Sequence, residues 1–143
     1  TTLVIPGEND TEAEFDEMSA WVVEHLGPDV PMHFSAFHPD YRMMDKPNTP
    51  PETLNLARRT ALKNGVQHAY VGNVSDRGRA STYCHNCRAL LIGRERYNLT
   101  RWGLDDSGAC RQCGTPCAGV FDTAPGGWGA KRLPVRMADF NAA

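Results

Sequence analysis

Along residues 1–76 the apolar positions switch between a period of two and a period near 3.6, the signatures of strands and helices. Thr2 to Ile5 is a short β-branched run closed by Pro6-Gly7, which predicts a strand ending in a turn. Thr11-Glu12-Ala13-Glu14 has the form of a capping box, and Phe15, Met18, Val22 and Leu26 follow at helical spacing until Gly27-Pro28 stops the helix. Pro31 to Phe37 alternates and predicts a second strand. Thr49-Pro50-Pro51-Glu52 again has capping-box form. Leu54, Ala57 and Ala61 give the apolar stripe of a second helix ended by Asn64-Gly65, and Ala69 to Val71 predicts a third strand. Strands separated by helices with short connections favour a parallel sheet. Three strands seldom complete such a sheet, so the expected fold class is α/β: a β-α-β-α-β part of a larger barrel or open sheet. Phe15 and Met18 are read as core.

From Ser81 the rhythm changes. Tyr83-Cys84-His85-Asn86-Cys87-Arg88 and Ala109-Cys110-Arg111-Gln112-Cys113-Gly114 are two C-x2-C knuckles. Two residues between thiolates let one tight turn present both sulfurs, and two facing turns complete a tetrahedral site of four sulfurs. The expected ligands are Cys84, Cys87, Cys110 and Cys113, with structural zinc as the metal and iron as the variant. Ala89 to Ile92 and Tyr97 to Leu99 supply the hairpin of a zinc ribbon, and Val120-Phe121 is expected to add a strand. So small a core needs the metal to hold. A redox C-x2-C would place one pair at a helix start instead. Cys117 is left over and reads as a small buried thiol, although the spacing of Cys110, Cys113 and Cys117 also admits a three-cysteine cluster loop.

Composition adds limits. The 143 residues are 41% hydrophobic and 22% charged, ordinary globular proportions. No apolar run approaches the ~20 residues of a membrane span, and no basic-then-apolar leader stands in the sequence, so a cytoplasmic setting without membrane partners is expected. The chain opens at Thr1 directly into Leu3-Val4-Ile5, which suggests that more of the sheet lies upstream. Charge is uneven. Residues 1–76 hold five Lys or Arg against twelve Asp or Glu, whereas residues 77–111 hold seven Arg against three acids. Arg77, Arg79, Arg88, Arg94, Arg96, Arg101 and Arg111, with Tyr83, Tyr97 and Trp102, admit a second function class: a non-catalytic ribbon binding nucleic acid or a protein. An ordinary solvated ribbon surface shows the same charge, so nucleic acid is the weaker expectation.

In α/β sheets, function collects at the carboxyl ends of strands. The segments there are Pro6-Gly7-Glu8-Asn9-Asp10, His38-Pro39-Asp40-Tyr41-Arg42 and Gly72-Asn73. His38 is the outstanding residue, since a strand-end imidazole can bond a carboxylate or move a proton. A solvated loop histidine is the plainer reading of one His alone. Asn9 and Asp10 have an equally plain reading as turn residues.

Three stretches carry a resemblance: Leu3 to Asp10, Phe37 to Met43, and Tyr70 to Val74 followed by Thr82-Tyr83-Cys84. Together with the final Cys110 to Pro116 segment, they resemble the C-terminal half of radical S-adenosylmethionine enzymes. The similarity is greatest to the pyruvate formate-lyase activating enzyme-like group, in particular its AmmeMemoRadiSam-system type, and covers about residues 1–122. The resemblance implies a partial (β/α)6 TIM-like barrel holding a [4Fe–4S] cluster that cleaves S-adenosylmethionine, with hydrogen abstraction from a substrate, often a protein. By the same resemblance His38 falls where a His touches the carboxylate of S-adenosylmethionine, and Gly7 and Asn9 fall on the cofactor pocket, with Asp10 and Asp40 as neighbours. The family's C-x3-C-x2-C cluster motif is missing here. The chain therefore reads as the C-terminal part of such an enzyme, partnered by the N-terminal part of the same barrel and unable to cleave the cofactor alone. The expected division is residues 1–78 in the barrel, 79–122 in the four-cysteine zinc ribbon, and 123–143, containing Gly126-Gly127-Trp128-Gly129, as a flexible tail.

Overall fold

The computed structural model describes residues 1–132 and 134–136. Three strands, β1 (Thr2–Val4), β2 (Met32–Ala36) and β3 (Ala69–Gly72), form a parallel sheet in that order. The register pairs Leu3 with Ser35 and Phe34 with Val71. Helices α1 (Glu12–Leu26) and α2 (Pro51–Lys63) connect them. Val4, Phe34, Val71, Phe15, Leu54, Ala57 and Ala61 share one buried core, so both helices cover the same face of the sheet. Phe15 meets Phe34 edge-on, with ring centroids 5.8 Å apart at 74°.

The helix starts show why local pattern is only half the account. Thr11 caps α1 as its sequence predicts: the hydroxyl accepts from the Glu14 N–H, and the Glu14 carboxylate accepts from the Thr11 N–H. The second expected capping box does not form. Pro50 occupies the cap position with no side-chain bond. Thr49 is instead buried between two strand ends, where its Oγ1 donates to the Val4 carbonyl at 2.5 Å and accepts from the Phe37 N–H at 2.8 Å. Tertiary partners outcompeted the local cap. At the other end of α1, Leu26 lies 56% exposed and falls off the apolar stripe assigned to it.

A one-turn helix, α3 (Arg77–Ala80), leads into an antiparallel sheet of β4 (Thr82–Tyr83), β5 (Leu90–Glu95) and β6 (Asn98–Trp102). The β5–β6 hairpin matches the expected one. The third ribbon strand is β4 and not Val120-Phe121: Val120 is fully exposed, and Phe121 packs edge-on against Trp102. This ribbon has its own core of Leu91, Ile92, Leu104 and cysteine sulfurs. At the crossing into the ribbon, the Tyr70 hydroxyl lies 2.8 Å from Thr82 Oγ1, and the Arg94 guanidinium stacks over the Tyr70 ring at 5.5 Å. The protein is thus α/β with two small sheets. None of the described helices is long and apolar enough to cross a membrane. Within the expected tail, residues 123–132 and 134–136 hold no helix or strand, and residues 133 and 137–143 lie outside the described residues.

Candidate functional site

The two knuckles are built alike. In the first, the Cys84 carbonyl accepts from the Arg88 N–H at 3.0 Å, and the Cys84 N–H donates to the Ala89 carbonyl at 2.8 Å. In the second, the Cys110 carbonyl accepts from the Gly114 N–H at 2.8 Å, and the Cys110 N–H donates to the Thr115 carbonyl at 2.9 Å. The fifth residue of each turn is left-handed, Arg88 at φ 63° and Gly114 at φ 72°. That geometry brings both sulfurs of a knuckle to one side.

The four sulfurs converge within 4.8 Å of one another. Cys84 Sγ lies 3.6 Å from Cys113 Sγ, and Cys87 Sγ lies 3.7 Å from Cys110 Sγ. A tetrahedron with metal–sulfur bonds of about 2.3 Å has edges of about 3.8 Å. The sulfur set can therefore hold a metal ion and is compatible with structural zinc. Its acid–base properties favour a cation as well. Hydrogen bonds from the Thr115 side chain and backbone, then from Cys87, bring Cys113 down to about 6. Cys87 is pushed up to about 12: the Ala89 N–H favours its thiolate, but hydrogen bonding with Cys113, burial, and the Cys110 and Cys84 thiols outweigh that. Four thiols in so small a space cannot all ionise unless a cation compensates them.

Cys117 stays out of this group. It is buried against the ribbon core, its N–H donates to the Gly108 carbonyl, and burial pushes its thiol pKa up. The five cysteines accordingly divide into a close set of four that could hold a metal ion and one thiol packed in the ribbon core.

At the carboxyl ends of the parallel strands lies an open cavity of about 880 Å³. His38, Asp40, Asn48, Thr49 and Asn73 supply its polar lining, and Leu3, Ile5, Phe37 and Met43 are among its apolar residues. The size and mixed lining suit a small-molecule ligand. Of the strand-end residues singled out in the sequence, His38, Asp40 and Asn73 reach this cavity. Gly7 and Asn9 are not part of its lining. Asn9 accepts from the Ile5 N–H at 2.7 Å and donates to the Leu3 carbonyl at 3.0 Å, clamping the end of β1. Gly7, at φ 77°, donates its N–H to Asp10 in the same turn, and Lys46 pairs with Glu8 beside it. Sequence reasoning passed over Asn48 and Thr49, which a long loop carries back to the cavity. Asn73 was visible only as the residue after a strand. It sits at φ 58° and donates to the Ala36 carbonyl at 3.2 Å.

The arginines are less free than their number suggests. Arg77 pairs with Glu95, and Arg79 with Asp76. Arg94 is held by Thr82 and Tyr70, and Arg111 donates to the Leu104 carbonyl at 2.6 Å. Arg77, Arg79 and Arg111 stay exposed despite these partners, as do Arg88, Arg96 and Arg101, and Tyr97 is a well-exposed aromatic on the same ribbon.

Neither a family model nor a solved structure matches the chain. A curated relative, an uncharacterized protein of Methanocaldococcus jannaschii, is 42% identical over 115 residues, which are 80% of this chain and 34% of that protein. The chain spans about a third of the length of the relative it matches.

Proposed function

We propose that this chain is the C-terminal part of a radical S-adenosylmethionine enzyme of the activating-enzyme-like type, contributing barrel strands, a cofactor-facing cavity wall and a structural zinc ribbon. The observation that carries this reading is the cavity at the carboxyl ends of three parallel strands with His38 on its wall. In parallel α/β folds that end of the sheet is where ligands bind. The strand ends, the paired knuckles and the resemblance over about residues 1–122 point the same way. A relative more than twice as long as this chain leaves room for the remaining barrel strands.

Within that reading the residues divide the work. His38 binds the cofactor's carboxylate, and Asp40 and Asn73 orient neighbouring polar groups. Leu3, Ile5, Phe37 and Met43 keep water from the apolar side. The ribbon closes the barrel beside β3 through Tyr70, Thr82 and Arg94. A [4Fe–4S] cluster, when held by other parts of the full-length polypeptide, would supply the electron for cleaving the cofactor. A free-standing nucleic-acid module finds less support, because four of the seven ribbon arginines already have partners within the protein, although Arg77, Arg79 and Arg111 stay exposed.

The test uses the full-length polypeptide that carries this segment, purified without oxygen and reconstituted with iron and sulfide. Reduction in the presence of S-adenosylmethionine is expected to release 5′-deoxyadenosine. His38→Ala should weaken cofactor binding by tenfold or more, since a hydrogen bond to a charged group contributes about 1.5–3 kcal/mol. A full-length protein that neither binds S-adenosylmethionine nor forms 5′-deoxyadenosine would sink the reading. Salt-sensitive binding of single-stranded RNA by such a protein would favour the nucleic-acid module instead.

A further inference from the structure

The four sulfurs of the metal centre are close in space but unequal in exposure. Cys84 and Cys110 are each 1% exposed, Cys87 is half-buried, and Cys113 is open to solvent. A dissolved oxidant therefore meets Cys113 first. Asn86 Nδ2 and Thr115 Oγ1 flank that sulfur at 3.8 and 3.2 Å. Cys84 Sγ lies behind it at 3.6 Å, on the opposite knuckle. The two sulfurs have only about 1.5 Å to close to reach the ~2.05 Å of a disulfide bond. A bond between knuckles also leaves both backbone rings, Cys84 with Arg88 and Cys110 with Gly114, as they stand.

We infer that Cys113 is a site of oxidation by hydroperoxides and that Cys84 resolves it, so that the oxidised centre carries a Cys84–Cys113 disulfide joining the two knuckles. The Cys113 sulfur attacks one peroxide oxygen. An S–O bond forms, the O–O bond breaks, and the departing hydroxide or alkoxide takes a proton from solvent. The Cys84 sulfur then attacks the Cys113 sulfur. The S–S bond forms, the S–O bond breaks, and the hydroxide leaves as water. Two sulfurs have lost two electrons to one equivalent of peroxide. Half of the ligand set is consumed, and Cys87 with Cys110 alone holds a metal ion far more weakly. Reduction by a dithiol restores four ligands. The centre thus doubles as a peroxide-sensitive clasp on the ribbon, whose small core depends on it.

The experiment treats the zinc-loaded chain with hydrogen peroxide and follows zinc release with a chromogenic chelator. Dimedone trapping and non-reducing peptide mapping report the sulfur chemistry. The first dimedone adduct is expected on Cys113. The Cys84–Cys113 disulfide should accumulate in step with zinc release, and dithiothreitol with added zinc should reverse both. Cys117→Ala should leave the pattern unchanged, because that thiol is buried in the ribbon core. Three outcomes overturn the inference: a first adduct on Cys87 or Cys117, a disulfide within one knuckle, or an unmodified Cys113 at a peroxide dose that already oxidises exposed Met44.

Discussion

The two knuckles carry a natural experiment at their fifth positions. Arg88 and Gly114 hold equivalent places and equivalent left-handed conformations, φ 63° and φ 72°, yet only one of them is glycine. A side chain in that region costs about 1–2 kcal/mol. Arg88→Gly removes the strain, and the greater freedom of glycine in the unfolded chain returns about 0.4–1 kcal/mol of the gain. The net expectation is stabilisation of the ribbon by about 0.5–1 kcal/mol, a two- to fivefold change in the equilibrium constant. Gly114→Ala should cost a similar amount, since a Cβ there meets nothing within 4 Å and only the backbone term operates. Ribbon folding and metal binding are coupled, so zinc affinity reads the difference directly. A competition titration against a chelator of known affinity should show tighter zinc binding for Arg88→Gly and weaker binding for Gly114→Ala. Loss of an exposed guanidinium near an anionic centre opposes the first effect by only a few tenths of a kcal/mol. Arg88→Asn tolerates the left-handed region and serves as the control, because it removes the charge without adding glycine's flexibility. If Arg88→Gly and Gly114→Ala shift zinc affinity in the same direction, the conformational account of the knuckles is wrong.

Removing the metal with a strong chelator should unfold the ribbon while the parallel sheet persists, because the ribbon core is Leu91, Ile92, Leu104 and the cysteines themselves, whereas Phe15, Phe34 and Leu54 need no ion. Amide NMR spectra would show loss of dispersion confined to the knuckles and β4–β6; collapse of both sheets together would contradict it. His68 is 5% exposed with both ring nitrogens unpartnered, and burial lowers its pKa below 6.5, with Asp29 opposing and His85 and Arg94 assisting. The unfolded chain therefore takes up the proton first. Stability is full above about pH 6.5 and falls as pH drops from there towards the folded value. His33 is shifted the same way, so the informative quantity is the difference between wild type and His68→Leu, whose urea midpoint should fall less between pH 7 and pH 5. Thr49→Val should lower stability by about 1–3 kcal/mol, since it leaves the buried Phe37 N–H without its acceptor; a thermal melt within error of wild type would refute that role.

Phe15, Leu54, Ala57 and Ala61 lie on the predicted stripes and are buried, because helical periodicity is a local property that survives folding intact. The four-cysteine set was legible for a related reason: C-x2-C spacing is itself a local geometry, and two such turns on one hairpin have little choice but to meet. Local pattern was blind wherever a side chain had two competing partners. Thr49 looked like a helix cap and became a bolt between β1 and β2, since two backbone groups at the strand ends needed a partner more than the helix did. Asn9, placed at the cofactor pocket by the resemblance and read as a turn residue from the pattern, clamps its own loop. His38, by contrast, reaches the cavity wall, but only the sheet shows that Asn48 and Asn73 stand beside it. By itself the sequence determined the two long helices, the parallel direction of the first three strands and the close set of four cysteines, all products of spacing along the chain. The tertiary structure alone decided which polar strand-end groups remain free for a ligand, because that depends on how buried backbone donors and acceptors are satisfied across elements far apart in sequence.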